Sequence, residues 1–416
     1  MRKSSLEKSK KSLPRPAYGG STFSKTIGSR PFGIASFKAG ESIQNGRETA
    51  LLFEFSLLAK CQGVTKINLK MKKSIVTILA VLALFACKNN PKTTSEVTAQ
   101  DASETKYPSD VIPFMDKWSI LCGDGTKAEE VVGFEHKGFF YTENEDNTDW
   151  VVYKTPNSGI TSRTSSNTRT EMGQKTHWKP MEGGKLTGTL KVQHVSTSGD
   201  ARVAASYSVV IGQIHGTEGH ENEPLKIFYK KFPGHRNGSV YWNYEINTAG
   251  DDNSGRWDFS SAVWGYDMSV IGTAPDSYPA EPKDGIALGE EFSYEINVFE
   301  GIMYLTFASK DHETKTFTKS LIKSEFTKEL PQQIKTLYGS IGRDGLERED
   351  AYAGELQNFK QGAYNQTNGK TPEDNMVWST GAAIYDGDIA EQYANGSYTE
   401  VWFKQATLGA GTPPNN

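Results

Sequence analysis

Cysteine is scarce in this sequence, with three in 416 residues and no pair at CxxC spacing. This scarcity argues against a disulfide-stabilised scaffold and against a cysteine-ligated zinc site. No cluster of His, Asp and Glu stands at ligand spacing, so the sequence implies no metal ion and no other cofactor. The formal net charge is −4, so no excess of positive charge favours nucleic acid as a partner.

Long apolar runs are lacking too, and the most apolar run, Ile75–Phe85, is too short to span a bilayer. Lys72 and Lys73 precede this run, and the sequence Leu-Phe-Ala-Cys ends it at Cys87. This order resembles a bacterial signal peptide with a lipoprotein box, which implies cleavage before Cys87 and acylation of its thiol. We therefore expect a protein of the cell envelope, anchored to the membrane by lipid or secreted.

A signal peptide over residues 71–87 divides the chain. Residues 1–70 are basic and rich in serine without sustained periodicity, so we expect a disordered or mis-called extension, with translation starting at residue 71. Residues 88–106 are predicted to be a flexible tether. Residues 107–405 are predicted to form one domain, and residues 406–416 a disordered tail.

Helical patterns are few, and the best candidates are the short segments Asp110–Trp118 and Ser324–Leu330. Eighteen tyrosines, eight tryptophans and forty glycines favour an all-β fold instead. Alternating polar and apolar residues recur along the domain, as in KLTGTLKVQHV, and EFSYEINVFEGIMYLTFAS predicts a hairpin with Glu300 and Gly301 at its turn. We expect an antiparallel two-sheet jelly roll with a groove on its concave sheet.

Two of the predicted strands place reactive side chains on one face, because side chains alternate along a strand. In VVIGQIH, Gln213 and His215 share a face, and Val210 and Ile214 are predicted to take the opposite one. In SSNTRTEMGQ, Arg169 and Glu171 share a face.

A third run, LQNFKQGAYNQ, places Lys360, Gly362, Tyr364 and Gln366 on one face and directs Phe359 and Ala363 to the other. Each of these strands alone also fits a structural role, such as a hydrogen-bonded histidine or a cross-strand ion pair. Together the three strands predict a polar site in the groove.

The three runs resemble signatures of the alginate lyases of polysaccharide lyase family 7. Those signatures are Arg-Ser/Thr-Glu-Leu-Arg, Gln-Ile/Val-His and Tyr-Phe-Lys-Ala-Gly-x-Tyr-x-Gln, and they occur here in the same order. Gly173 stands where the first signature has its second arginine, and Asn358 and Gln361 depart from the third signature. The departure at Gly173 puts one sugar contact in doubt but leaves the catalytic set.

The resemblance implies β-elimination of alginate, a polymer of mannuronate and guluronate with a carboxylate on every sugar. Arg169 and Gln213 would neutralise the carboxylate, His215 would take the C5 proton, and Tyr364 would protonate the leaving O4. Glu171 would orient Arg169. In the family, His and Tyr divide the work on guluronate, Tyr does both jobs on mannuronate, and Ile between Gln and His accompanies acceptance of guluronate-containing chains.

A polyanionic substrate also needs flanking positive subsites. The candidates are Lys226 and Lys230, which share a strand face, together with Lys360 and Gln366. Charges on a solvated strand edge would show the same pattern.

Two other functions fit a fold of this kind. A non-catalytic alginate-binding lectin would keep the basic groove without needing His215 and Tyr364 together. A glycoside hydrolase would need two carboxylates flanking the scissile bond, and no Glu-x-Asp-x-x-Glu strand is present. Whether cleavage is internal or from chain ends depends on loops at the groove, for which Asn247–Tyr266 and Thr273–Gly285 are the candidates.

Overall fold

The computed structural model describes residues 106–162, 165–217, 223–246, 257–322, 355–369 and 380–414. The predicted signal peptide with Cys87, the extension before it, the tether up to residue 105 and the predicted helix Ser324–Leu330 lie outside these residues. No helix in the described ranges is both long enough and apolar enough to cross a membrane.

Two short α-helices occur in the described ranges, α1 (Pro108–Val111) and α2 (Ile389–Asn395). The helix predicted over Asp110–Trp118 is replaced by α1, a 3-10 turn at Met115–Lys117 and the start of a strand. Pro108 favours the start of α1, and α1 ends before Ile112, which precedes Pro113 and has an extended backbone. In α2 the Asp388 side chain accepts a hydrogen bond from Glu391 N and caps the first turn.

Strands make up most of the described chain. They are β1 (Trp118–Leu121), β2 (Lys127–Ala128), β3 (Phe140–Glu145), β4 (Thr148–Pro156), β5 (Arg169–Gln174), β6 (Gly184–His194), β7 (Ser208–Gly216), β8 (Leu225–Lys230), β9 (Asn237–Ile246), β10 (Trp257–Trp264), β11 (Ile286–Ala287), β12 (Phe292–Phe299), β13 (Ile302–Ser309), β14 (His312–Ser320), β15 (Gln357–Asn365) and β16 (Tyr398–Gly409).

The described strands form two sheets with antiparallel pairing. A nine-stranded sheet has the order β10-β9-β8-β7-β15-β5-β1-β2, with β11 paired to β9, and a seven-stranded sheet has the order β14-β13-β12-β6-β16-β4-β3. This architecture confirms the predicted two-sheet jelly roll. The order also makes β15, far along the chain, the neighbour of both β7 and β5.

The main core contains buried side chains from both sheets, including Met172, Ile214 and Phe359 from one and Leu190 and Phe403 from the other. Fully burying a side chain of this size contributes roughly 1.5–3 kcal/mol to stability. The sheets are also joined by a polar contact, because Gln361 Nε2 donates to the Tyr294 hydroxyl at 2.7 Å.

The predicted hairpin is present as β12 and β13. Its turn residues Glu300 and Gly301 have φ angles of 49° and 76°. Positive φ at both positions is the geometry of the two-residue turn that matches the twist of a hairpin.

The prediction for Val210 was wrong. Val209 and Ile211 lie in the main core, whereas Val210 packs in a separate cluster with Phe228, Tyr241 and Tyr364 on the opposite face of the sheet. The β7–β8 register shifts between Val210 and Gly212. A bulge of this kind changes which side chains face the core.

The predicted tail was also wrong, because β16 continues to Gly409 instead of ending at Gln405. Beyond the strand, the Asn297 side chain donates to Thr412 O at 2.8 Å and accepts from Thr412 N at 3.0 Å. These bonds fix the chain after β16 against β12.

Candidate active site

Two rows of side chains cross the face of the nine-stranded sheet that points away from the main core. In the first row, Lys360 on β15 lies opposite Gly173 on β5 and Gln213 on β7, and Gln213 lies opposite Lys226 on β8. The cross-strand register therefore brings together residues that are far apart in sequence.

In the second row, Tyr364 lies opposite Arg169 on one side and Val210 on the other. The Arg169 guanidinium carbon lies 3.7 Å from the centroid of the Tyr364 ring. This stacking is a cation–π contact that fixes both side chains. Tyr364 is nonetheless 9% exposed, so a small part of it faces solvent.

Glu171 connects Arg169 and Gln213. One carboxylate oxygen accepts from Arg169 Nη1 at 3.1 Å and the other accepts from Gln213 Nε2 at 2.6 Å. Ser165 Oγ accepts from Arg169 Nη2 at 2.7 Å. Glu171 thus orients Arg169, as the sequence predicts, and it orients Gln213 as well.

His215 is held by its own strand. Its Nδ1 lies 2.6 Å from Gly216 O, and because a carbonyl oxygen only accepts, Nδ1 carries the proton and Nε2 carries the lone pair. Burial, followed by the positive charge of Lys360, lowers the pKa of His215 to about 3. The imidazole is therefore neutral at neutral pH and presents a basic nitrogen.

The sequence model of the alginate lyase family matches residues 113–410, which include every strand of the site. The chain belongs to this alginate lyase family. An alginate lyase of Klebsiella pneumoniae is 32% identical over 197 residues, which are 46% of this chain and 51% of the relative. The match thus spans about half the length of that curated relative.

Two solved structures extend the comparison. The chain is 75% identical to the exolytic PL7 alginate lyase AlyA5 from Zobellia galactanivorans, with a TM-score of 0.68 over 74% of this chain and 99% of that one. The crystal structure of the alginate lyase from Klebsiella pneumoniae is 22% identical, with a TM-score of 0.52 over 74% of this chain and 99% of that one. The second comparison shows a shared fold only.

The lysines predicted to bind substrate in this member of the alginate lyase family differ from one another in the groups that surround their ammonium ions. Lys360 lies beside Gln213, and burial followed by the charge of Arg169 lowers its pKa to about 8. Lys226 is paired with Glu245 at 2.7 Å and with Glu223 at 3.1 Å. Lys360 is therefore placed with the central groups, while the Lys226 ammonium is already held by carboxylates.

The side chains of Lys230 and Gln366 each contact a backbone carbonyl oxygen. The Lys230 ammonium donates to Ala204 O at 2.9 Å, and burial lowers its pKa to about 7. Gln366 Nε2 contacts Tyr364 O at 3.5 Å. The structure thus joins Arg169, Glu171, Gln213, His215, Tyr364 and Lys360, and among the described residues no contact links Lys230 to this group.

Glu223 and Glu245 were not found by sequence reasoning. Glu245 lies on β9 and meets Lys226 only because β9 pairs with β8. Glu223 lies just before β8, at the start of the alternating run EPLKIFYKKF. A charged partner for Lys226 could be expected from its burial, and Glu223 stands only three residues before it, but the order of strands was needed to identify Glu245.

Proposed function

We propose that this chain is an alginate lyase that cleaves the 1,4-glycosidic bonds of alginate by β-elimination and releases unsaturated uronate oligosaccharides. The catalytic residues in this proposal are Arg169, Gln213, His215 and Tyr364. Family membership supports the activity. The observation that carries the proposal is the convergence of these groups, from three separate strands, around Glu171 on one face of the sheet.

The first chemical task is to stabilise the charge that accumulates on the C6 carboxylate as the C5 proton leaves. The Arg169 guanidinium and the Gln213 amide supply hydrogen-bond donors for this charge, and Glu171 holds both before substrate arrives. Preorganised donors of this kind contribute about 2.7–4 kcal/mol each in other enzymes. Arginine also binds a carboxylate through two parallel bonds, which lysine cannot do.

The second task is proton transfer. His215 Nε2 takes the C5 proton from guluronate, and Tyr364 protonates the departing O4. On mannuronate, Tyr364 performs both transfers. Ile214, which is fully buried in the core between Gln213 and His215, supports acceptance of guluronate-containing chains by the family resemblance.

We infer that cleavage is exolytic. The 75% identical AlyA5 is described as exolytic. In addition, Met268 packs on the cluster of Val210, Phe228, Tyr241 and Tyr364. Its segment continues to Gly272 and Pro275, which exchange backbone bonds with Ala201. A wall at this position would stop the polymer beside Tyr364 and favour attack at a chain end.

The test is to mix the purified domain with alginate and follow ultraviolet absorbance from the conjugated double bond that elimination creates. We expect a rise with the wild-type protein and none with Tyr364→Phe, which lacks the proton for O4, while the variant still binds alginate in affinity electrophoresis. Binding without any absorbance rise in the wild type would identify a binding protein and refute the lyase.

Product sizing over a time course tests the exolytic inference. Short unsaturated products should appear from the first time points while the polymer keeps its viscosity. An early fall in viscosity with a ladder of mid-sized products would contradict it.

We also propose that the protein is a lipoprotein of the cell envelope, acylated at Cys87. The order of the lysine pair, the apolar run and Cys87 supports this location.

A further inference from the structure

A chain of alternating charges leads from β9 to the imidazole of His215. Glu245 Oε2 lies 2.7 Å from Lys226 Nζ, and the same ammonium lies 3.1 Å from Glu223 Oε2. The other Glu223 oxygen, Oε1, lies 3.6 Å from His215 Nε2. The side chains of Lys226 and Glu245 are 4% and 3% exposed, so their contact is shielded from water, while the side chains of Glu223 and His215 are 16% and 23% exposed.

The tautomer of His215 determines what Glu223 does. Since Nδ1 donates to Gly216 O, the neutral ring presents a lone pair at Nε2. A carboxylate oxygen at 3.6 Å gains no hydrogen bond from that lone pair. Once Nε2 is protonated, the same oxygen faces an N–H of a positively charged ring, and the interaction becomes attractive.

We propose that Glu223 is a positioning residue: held by Lys226, it lies beside the basic nitrogen of His215 and stabilises the imidazolium that forms when His215 takes the C5 proton. The inference rests on the proposed function. It also gives Lys226 the role of holding Glu223 in place.

The proton and the electrons balance in this step. The C5–H bond breaks, its proton forms the Nε2–H bond, and its electron pair forms the C4–C5 double bond. The C4–O4 bond breaks and O4 takes the proton of Tyr364. Transfer of a proton from His215 to the solvent and recovery of one by Tyr364 restore the enzyme.

Glu223 opposes the other charges around His215. Lys360 from β15 and Arg169 from β5 disfavour the imidazolium, and Glu223 favours it. An interaction that strengthens only as the proton arrives lowers the barrier without tightening substrate binding. The expected signature of Glu223 is therefore in kcat on guluronate, where His215 is the base.

The experiment compares Glu223→Gln with wild type on guluronate and mannuronate oligomers. Removing the charge while keeping the shape should lower kcat on guluronate about tenfold, the ratio that corresponds to one pKa unit, with KM little changed. The loss on mannuronate should be much smaller. Glu143→Gln, an exposed charge change on β3 of the other sheet, is the control and should match wild type on both.

A double variant separates this role from simple support of the fold. In a His215→Asn background, Glu223→Gln should cost nothing further, because the group it acts through is gone. Full additivity, or an equal loss on guluronate and mannuronate, would overturn the proposal. If Glu223→Gln does not fold, as judged by thermal unfolding, Glu223→Asp decides the question: a guluronate-selective loss supports the proposal and an equal loss refutes it.

Wild-type protein assayed in parallel shows whether a negative result refutes the proposed function or only the role of Glu223. No unsaturated product from wild type would refute the proposed function itself. Cleavage by wild type and equal cleavage by Glu223→Gln would leave the lyase intact and refute only the role of Glu223.

Discussion

His215 shows how far surroundings can move a residue from its ordinary chemistry. A histidine with a pKa near its usual value would be partly charged in mildly acidic solution. Here burial and Lys360 lower the pKa to about 3. The ring therefore stays neutral well below neutral pH, which is the form that the proposed base requires.

The lowered pKa of His215 also predicts how the stability of the fold depends on pH. Between pH 6.5 and about 3 the unfolded chain binds a proton at His215 and the folded chain does not, so this residue lowers the free energy of unfolding as pH falls through that window. We expect His215→Asn to gain thermal stability relative to wild type as pH is lowered from 7 to about 4.

Scanning calorimetry across that pH range would measure this difference, with His177→Asn, at an exposed histidine, as the control. A constant difference between His215→Asn and wild type at every pH would show that burial does not penalise the charged ring.

At the scale of elements, the site depends on an irregularity in β15. The β15–β7 register shifts between Gln361 and Tyr364, and Gly362 in between has a φ of 149°. A Cβ at Gly362 would lie 2.5 Å from Thr170 O and 2.9 Å from Glu171 Cα. Only glycine lets β15 approach β5 closely enough at this point.

Gly362→Ala should therefore destabilise the fold by about 1–3 kcal/mol and reduce activity, because it pushes β15 away from the strand that carries Arg169. Gly173→Ala is the matched control for stability, since a Cβ there meets nothing within 4 Å. Chemical denaturation of both variants measures the difference. Equal stability of the two would mean that β15 tolerates the side chain and that the close approach is not needed.

At the scale of the whole molecule, a jelly roll brings residues from across the chain onto one sheet. Arg169, Gln213 and Tyr364 lie on β5, β7 and β15, and β15 pairs with both of the others. The position of the domain in the cell depends on the segment that precedes it. The proposed anchor at Cys87 would keep the domain at the cell envelope, close to the products of the proposed reaction.

The anchor is tested by expressing the chain from Met71, together with its Cys87→Ser variant, in bacteria fed labelled palmitate. We expect label in the membrane fraction for the parent chain and unlabelled protein for the variant, because the proposed lipid is attached to the thiol of Cys87. Label retained in the variant, or none in the parent, would refute the anchor.

The sequence by itself determined the fold class and which polar side chains of β5 and β7 share a face. Alternation placed Gln213 with His215 and Arg169 with Glu171, because the two-residue period of a strand is a local property of the chain. The turn at Glu300 and Gly301 is local as well, and it was predicted correctly.

Only the tertiary structure decided which strands are neighbours, and therefore which charges meet. The face of Val210 depended on a bulge, the pKa of His215 depended on Lys360 and Arg169, and Glu223 was connected to the site through Lys226. These interactions join β7 to β15, to β5 and to the segment just before β8. Their energies depend on burial and on separations of a few ångströms, which no pattern along the chain encodes.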